Sequence, residues 1–439
     1  MPHMTPAAPA SQPLAAIDMG SNSFRLEIAT LNHGHYRRVD YLKETVRLGA
    51  GLDAEGLLTE AAVERGLACL RRFAARLQGL PGDHVRAVAT QTLRDARNRN
   101  DFLLRAQAAL GVPIEVISGR EEARLIYAGV AQLQPGDAPR LVVDIGGRST
   151  ELILGEGRLA RAAESFAVGS VGLSLRYFAD GRLTAEAFRA AQVAAGAEFE
   201  EALHAFRPQL WTQALGSSGT AGAVSQVLQA SGRTDGRITP AALRELIGQC
   251  IAAGHADRLD LPGLQADRRP VIAGGLAILY TLLVQFGIDE LLPAKGALRQ
   301  GVIVDLHHRL VAARRTRHED LRDASVVELQ RRFEVDAEQA SRVRRVAVTL
   351  YQQLRPDAPL EQRRELAWAC ALHELGLMVS HHDHHRHSAY LLSHVDAAGF
   401  SQSQQRRLGE LVLGQRGGLR KLAEALARTE FAWQLMALR

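Results

Sequence analysis

Apolar positions follow two rhythms along this chain of 439 residues. Up to Val311, short continuous apolar runs alternate with helix-spaced stretches; beyond it the short runs stop and helical spacing takes over. The runs Leu14 to Ile17 and Phe24 to Ala29 predict two strands joined by the turn Asp18-Met19-Gly20-Ser21-Asn22-Ser23. Leu141 to Val143 and Leu152 to Leu154 predict a second pair, joined by Asp144-Ile145-Gly146-Gly147-Arg148-Ser149-Thr150-Glu151. Between the pairs, Val63, Leu67, Leu70, Ala74 and Leu77 share one helical face behind Thr59 as N-cap. Val85 to Ala89 and Ile114 to Ile117 read as buried strands, with a helix around Phe102 to Leu110 between them. Ser118 then caps a helix whose first turn holds Glu121 and Glu122.

The second half repeats the theme with a long helix from Ala185 to Phe206 and a strand from Thr212 to Gly216. A Gly/Ser turn, Gly216 to Gly222, opens the next helix, and Leu276 to Phe286 and Gly301 to Leu310 are helical. Ser325 to Phe333, Ala337 to Leu354, Leu360 to Leu377 and Ser401 to Leu413 then read as successive amphipathic helices. The expected organisation is a loose tail over 1–13, one α/β lobe over 14–135, a second over 136–312 and a helical domain over 318–439, with Arg314 to Arg317 as linker.

Composition adds exclusions. The longest apolar run, Val271 to Phe286, is interrupted by glycines and falls short of the ~20 residues of a membrane span. Met1 to Pro13 has neither the basic region nor the apolar core of a secretory leader. Cys69, Cys250 and Cys370 sit in helical apolar patterns, as expected of reduced core residues in a cytoplasmic protein. A formal charge of +5, with both signs mixed and no aromatic-basic stacking motif, suits a polyanionic ligand and does not suggest nucleic-acid binding.

The candidate chemistry lies in the turns. A Gly/Ser hairpin turn leaves backbone N–H groups for an anion, and an Asp at the strand end can hold a cation. Gly20, Ser21, Asn22, Ser23, Gly146, Gly147, Arg148, Ser149 and Thr150 are therefore candidate phosphate-binding residues, with the hydroxyls as further donors. Ser218, Gly219 and Thr220 form a third candidate turn, although short Gly/Ser turns also serve as plain connectors.

Duplicated turns in an α/β frame resemble the actin-like (ribonuclease H-like) ATPase superfamily. A narrower resemblance rests on Asp18 to Phe24, Thr92-Leu93-Arg94, Ile117 to Ile126, Asp144 to Gly147 with Ser149 to Leu152, Ser218 to Thr220, and His373-Glu374 with His385 to Tyr390. These resemble the exopolyphosphatase and guanosine pentaphosphate phosphohydrolase (Ppx/GppA) family over nearly the whole chain. The resemblance implies a two-lobed actin-like fold followed by an all-α HD-like domain, a homodimer, and hydrolysis of a terminal phosphoanhydride.

Such hydrolysis needs a water, a base and positive charge. Asp18, Asp144 and Glu151 would repel a phosphate chain if bare, which implies a divalent cation, magnesium being the natural choice. Glu122 matches the family's catalytic glutamate; Glu121 is the alternative, since adjacent helical residues project about 100° apart and only one can face the cleft. Arg94 is expected to grip a phosphate bidentately, with a surface arginine as the plainer reading. Arg148 stands where the family has a third glycine; if that position needs a positive φ, it costs about 1–2 kcal/mol. Inorganic polyphosphate is the first expected substrate and guanosine pentaphosphate the alternative, with a non-catalytic sensor or a kinase from other classes. His373-Glu374 and His381 to His387 invite comparison with metal-dependent HD phosphohydrolases, but Glu374 replaces their aspartate.

Overall fold

The computed structural model describes residues 12–32, 34–314 and 320–439. Most of the expected tail and of the Arg314–Arg317 linker lies outside the described residues. The chain divides into two compact units, Met1–His307 and His308–Arg439, the division falling within the helix Leu298–Arg314.

The first unit holds two five-stranded sheets. In one, β1 (Leu14–Met19), β2 (Phe24–Asn32) and β3 (His35–Glu44) form an antiparallel meander, and β4 (Val85–Ala89) and β5 (Ile114–Val116) add in parallel on the other side of β1. The other repeats the plan with β6 (Arg140–Ile145), β7 (Thr150–Glu156), β8 (Leu159–Phe166), β9 (Gln213–Ser217) and β10 (Leu292–Pro293). The orders β3-β2-β1-β4-β5 and β8-β7-β6-β9-β10 are the same. Even the register irregularity recurs, at Ile28/Ala29 and at Leu154/Gly155. This duplicated mixed-sheet topology is the two-lobed actin-like fold.

β1 and β6 are buried on both faces, and that is why each appears in sequence as an unbroken apolar run. Each lobe has its own core. One gathers Ile17, Phe24, Leu67, Phe73 and Phe102, the other Leu141, Phe188, Phe199, Leu276 and Phe286. The strands β3 and β8, exposed or half-buried along their length, received no range of their own in the sequence reading. Thr59 stands at the N-cap of Glu60–Arg76 but its side chain makes no capping bond. The helix from Ala185 ends at Phe199, and Glu200–Ala202 is a tighter 3-10 turn.

One helix joins the lobes. Gly119–Leu133 is capped by Ser118, whose Oγ accepts the Glu121 N–H at 3.1 Å. It crosses Leu298–Arg314 at backbone contact, since a Cβ at Gly301 would sit 1.7 Å from the Leu125 carbonyl oxygen. Only glycine permits that approach.

The second unit is helical: Leu321–Arg332, Ala337–Leu354, Leu360–Ala371, His384–His394, Gln402–Gly414 and Thr429–Leu438 are its longer elements. Val326, Trp368, Leu372, Leu411 and Phe431 fill its core. Arg322, 2% exposed, bonds Asp320 and Glu361 and lies 4.4 Å over the Trp368 ring. His384–His394 absorbs part of the histidine-rich run, with His385 buried. Among the described residues no helix is long and apolar enough to cross a membrane.

Candidate active site

The hairpin turns β1–β2 and β6–β7 meet at a cleft. It is lined by Asp18, Gly20 to Ser23, Gly146, Gly147 and Ser149, by the third turn Ser218 to Thr220, and by Glu122. The turns touch closely: a Cβ at Gly147 would lie 3.1 Å from Ser21 Cβ and 3.4 Å from the Asn22 nitrogen. Side-chain bulk at Gly147 would push the turns apart.

Each turn is held by its carbonyls. Ser21 and Asn22 oxygens accept the N–H groups of Gly49 and Arg47, both at 2.8 Å. Gly146 and Gly147 oxygens accept Ser170 at 3.0 Å and Val171 at 2.8 Å. Among the described residues the N–H groups of Gly20 to Ser23 donate no backbone bond. Ser21 Oγ accepts from Thr92 at 2.7 Å, which leaves its own proton for the cleft. Ser23 Oγ and Asn22 Nδ2 are buried without a hydrogen-bond partner. Unmet buried donors cost stability, and a phosphate oxygen would satisfy them.

Other predicted donors are committed elsewhere. Thr150 Oγ1 donates to the Val168 carbonyl at 2.6 Å, and Thr150 does not line the cleft. Ser218 and Thr220 hydroxyls both donate to the Ile145 carbonyl at 3.0 Å. They tie the third turn to the second, and Ser218 is itself left-handed, with φ at 67°. For a serine that backbone is strained, a cost that clusters at ligand-binding turns.

Glu121 and Glu122 are separated by their partners. Glu121 is gripped by Arg124 through two bonds of 2.8 Å. It belongs to a buried network in which Asp305 accepts from Arg86 and Arg124, both at 2.7 Å. Glu122 lines the cleft, and its Oε2 accepts from Arg94 Nη1 at 2.8 Å. Burial pushes the Glu122 carboxyl up to about 7; Arg94 opposes this, while Asp18 and Asp144 add to it. Glu151 is raised well above its ordinary range by burial and by the charges of Glu122 and Asp144, and Asp144 is raised mainly by burial. These mutual effects place the four carboxylates in one electrostatic cluster.

Arg94 differs from its expected part. Its Nη1 also donates to the Ile117 carbonyl at 2.9 Å, and Nε and Nη2 donate to Gln91 Oε1 at 2.9 and 2.6 Å. With the fork spent on Glu122, Ile117 and Gln91, it holds Glu122 and is no open phosphate clamp. Arg148 differs too: neither it nor Gly147 lies at positive φ, so the anticipated strain is absent. Its side chain leaves the cleft for the other lobe, 3.5 Å from Asp95 and 3.3 Å from the Gly49 carbonyl.

Three arginines went unnoticed in sequence. Arg25 and Arg268 line the cleft, and Arg299 stands 3.8 Å from Asp18. Burial and the nearby Arg25 charge hold Arg268 below the usual guanidinium range. Two cations that repel each other beside a turn await an anion. Arg25 lies on β2 two residues after Ser23 and so on the same strand face, which was its one available signal.

Among the described residues no three His, Cys, Asp or Glu side chains converge as a metal-ligand set. Asp18, Asp144 and Glu151 are therefore no preformed three-carboxylate cage. Asp18 faces the cleft, Glu151 accepts from Ser165 Oγ at 2.8 Å, and neither Glu151 nor Asp144 lines it. A cation that takes most of its ligands from water and phosphate, with one or two carboxylates, fits this donor set.

The Ppx/GppA phosphatase family matches residues 28–310, and domain III of the same family matches 321–437. A "Guanosine-5'-triphosphate,3'-diphosphate pyrophosphatase" of Aeromonas hydrophila is 41% identical over 406 residues, 92% of this chain and 80% of that protein. A crystal structure of an exopolyphosphatase-like protein is 28% identical with a TM-score of 0.62, over 68% of this chain and 99% of its own. The Aquifex aeolicus PPX-GPPA enzyme is 26% identical with a TM-score of 0.55, over 67% of this chain and 99% of its own. Both the lobes that form the cleft and the helical unit are thus accounted for, and the chain belongs to the Ppx/GppA phosphatase family of phosphoanhydride hydrolases.

Proposed function

We propose that this hydrolase removes the terminal phosphate of guanosine pentaphosphate, yielding guanosine tetraphosphate and orthophosphate. The observation that carries the hydrolytic reading is Glu122: a cleft-lining carboxyl near pH 7, with one oxygen held by Arg94 and the other left for water. Sequence reading alone put polyphosphate first. The guanosine substrate is favoured because the relative of that name aligns over 92% of the chain, whereas the exopolyphosphatase-like structure aligns over 68%.

In the proposed reaction Glu122 takes a proton from water as its oxygen attacks the terminal phosphorus. The bond from that phosphorus to the bridging oxygen breaks, and the bridging oxygen leaves with its electrons on the nucleotide. N–H groups of the first two turns, with Ser21 and Ser23, hold the terminal phosphate, and Arg25 and Arg268 balance its charge. Asp18, with Asp144 and Glu151 behind it, would hold a divalent cation, magnesium, which supplies charge neutralisation at the phosphate oxygens. Arg94 keeps Glu122 oriented and ionised. A homodimer, as the family resemblance implies, completes the proposal.

Phosphate release is to be measured side by side on guanosine pentaphosphate, long-chain polyphosphate and ATP, with magnesium and with chelator. Magnesium-dependent release fastest from the pentaphosphate is expected. Faster release from polyphosphate would return the reading to an exopolyphosphatase, and none from any substrate would leave a sensor.

A further inference from the structure

Glu121 is buried outside the cleft, and its partners form a chain across several elements. Arg124, one turn further along helix Gly119–Leu133, grips it and donates from Nη2 to Asp305 Oδ1 at 2.7 Å. Asp305 lies on helix Leu298–Arg314 and accepts Arg86 Nη1 on its other oxygen, also at 2.7 Å. Arg86, on β4, stands 3.9 Å from Glu121 Oε1 and donates to Glu115 of β5 at 3.0 Å. The side chains of Arg86, Glu121 and Asp305 are 3%, 1% and 9% exposed. Burying charges is costly even when they are paired, so a network of this kind is better evidence for a fixed arrangement than for added stability.

The arrangement that needs fixing is rotational. Glu121 and Glu122 project about 100° apart, so the roll of helix Gly119–Leu133 decides which carboxyl meets the cleft. Its contact with the neighbouring helix is smooth: Gly129 and Gly301 meet the opposite backbone at Ala297 and Leu125 with no side chain between. Ridges of side chains are what interlock two helices, and at this closest point there are none. A roll of about 10° moves a group ~5–6 Å from the axis by about 1 Å, a displacement that can cost roughly 10²-fold in rate. The helix Leu298–Arg314 also brings Leu298 to the cleft and Arg299 within 3.8 Å of Asp18, so it is a common reference for both sides of the site.

We infer that Asp305 is a positioning residue for the base: through Arg124 and Arg86 it locks the roll of helix Gly119–Leu133 against β4 and Leu298–Arg314, and so keeps Glu122 in the cleft. This rests on Glu122 as the base. It holds for either substrate, because it acts on the attack by water and not on what the terminal phosphate is attached to.

Phosphate release is measured on guanosine pentaphosphate and on long-chain polyphosphate, with magnesium, for Asp305→Asn, Arg124→Met and Arg124→Lys. On whichever substrate turns over, Asp305→Asn and Arg124→Met are expected to lose about 10–100-fold in kcat, with KM moving less than about threefold. Arg124→Lys, which keeps the charge but not the fork, should lose less than Arg124→Met. The decisive step repeats Asp305→Asn in a Glu122→Gln background, where no base is left to misplace and the further loss should fall below about twofold. A merely structural role would cost the same in both backgrounds. That result, or an unchanged kcat in Asp305→Asn and Arg124→Met, overturns the inference. Rates are taken per folded molecule by circular dichroism, and Arg124→Met, at a side chain 20% exposed, replaces Asp305→Asn in the double variant if the latter melts early. Near-normal turnover by Glu122→Gln alone would instead sink the assignment of the base, and the same set of variants reads it separately.

Discussion

Replacing Glu122 with glutamine keeps the shape of the side chain and deletes its titration, so stability and catalysis can be read from one variant. The carboxyl has an ordinary value of 4.5 and is raised to about 7 in the fold. A raised carboxyl means that the folded state resists ionisation, so its contribution to stability is complete below 4.5 and lost as pH rises through 7. Integrating the linkage between pH 5.5 and 8 gives a loss of about 2 kcal/mol in the parent protein that Glu122→Gln lacks. Because the Glu122 charge also helps to raise Glu151, its removal acts in the same direction there. Urea unfolding at the two pH values, followed by hydrogen exchange of β1 and β6 peptides, reads the first unit by itself. The variant should gain about 2 kcal/mol on the parent from pH 5.5 to 8, with phosphate release down by about 10²–10⁴-fold. Parallel stability curves, or near-normal turnover, would refute the placement of a strained base at Glu122.

Four further outcomes follow from the same geometry. In the parent protein kcat/KM should climb with pH through a limb near 7, and Arg94→Ala should move that limb to higher pH, because Arg94 opposes the rise of Glu122; Arg94→Lys should restore part of the shift. Magnesium at ten times its dissociation constant should stabilise the first unit by about 1.4 kcal/mol at pH 8 and by less at pH 5.5, where Glu122, Asp144 and Glu151 are more fully protonated; calorimetry checks this. Arg148→Gly should cost about 1–2 kcal/mol in urea unfolding, through its lost tie to Asp95 and added backbone freedom, without speeding phosphate release. Arg322→Ala should destabilise the helical unit by about 2–3 kcal/mol, since Asp320, 5% exposed, would lose one of its two arginine partners and keep Arg364 at 2.8 Å; denaturation of that unit by urea measures it.

What could be read from the sequence was local. β1 and β6 announce themselves because strands buried on both faces read as near-continuous apolar runs, whereas β3 and β8, exposed or half-buried, give only weak alternation. The Gly/Ser turns were legible because glycine and serine are favoured in turns and disfavoured inside strands, so a cluster of them after an aspartate marks the break between two apolar runs. Ser118 as cap and Glu122 as the residue toward the cleft were legible together with the family motif.

Tertiary structure decided which side chains are free to act. Arg94 and Arg148 look like phosphate clamps in sequence, yet distant partners claim them: Glu122 and Ile117 for one, Asp95 and Gly49 for the other. Glu121 and Glu122 are chemically identical neighbours, and their partners distinguish them: Arg86 and Arg124 lie on Glu121, while Arg94 holds Glu122. Arg25 and Arg268, 243 positions apart, come to line one cleft only when the two sheets face each other. The chain order sets the local backbone menu; long-range charge pairing and burial, which depend on who lies opposite, set the chemistry.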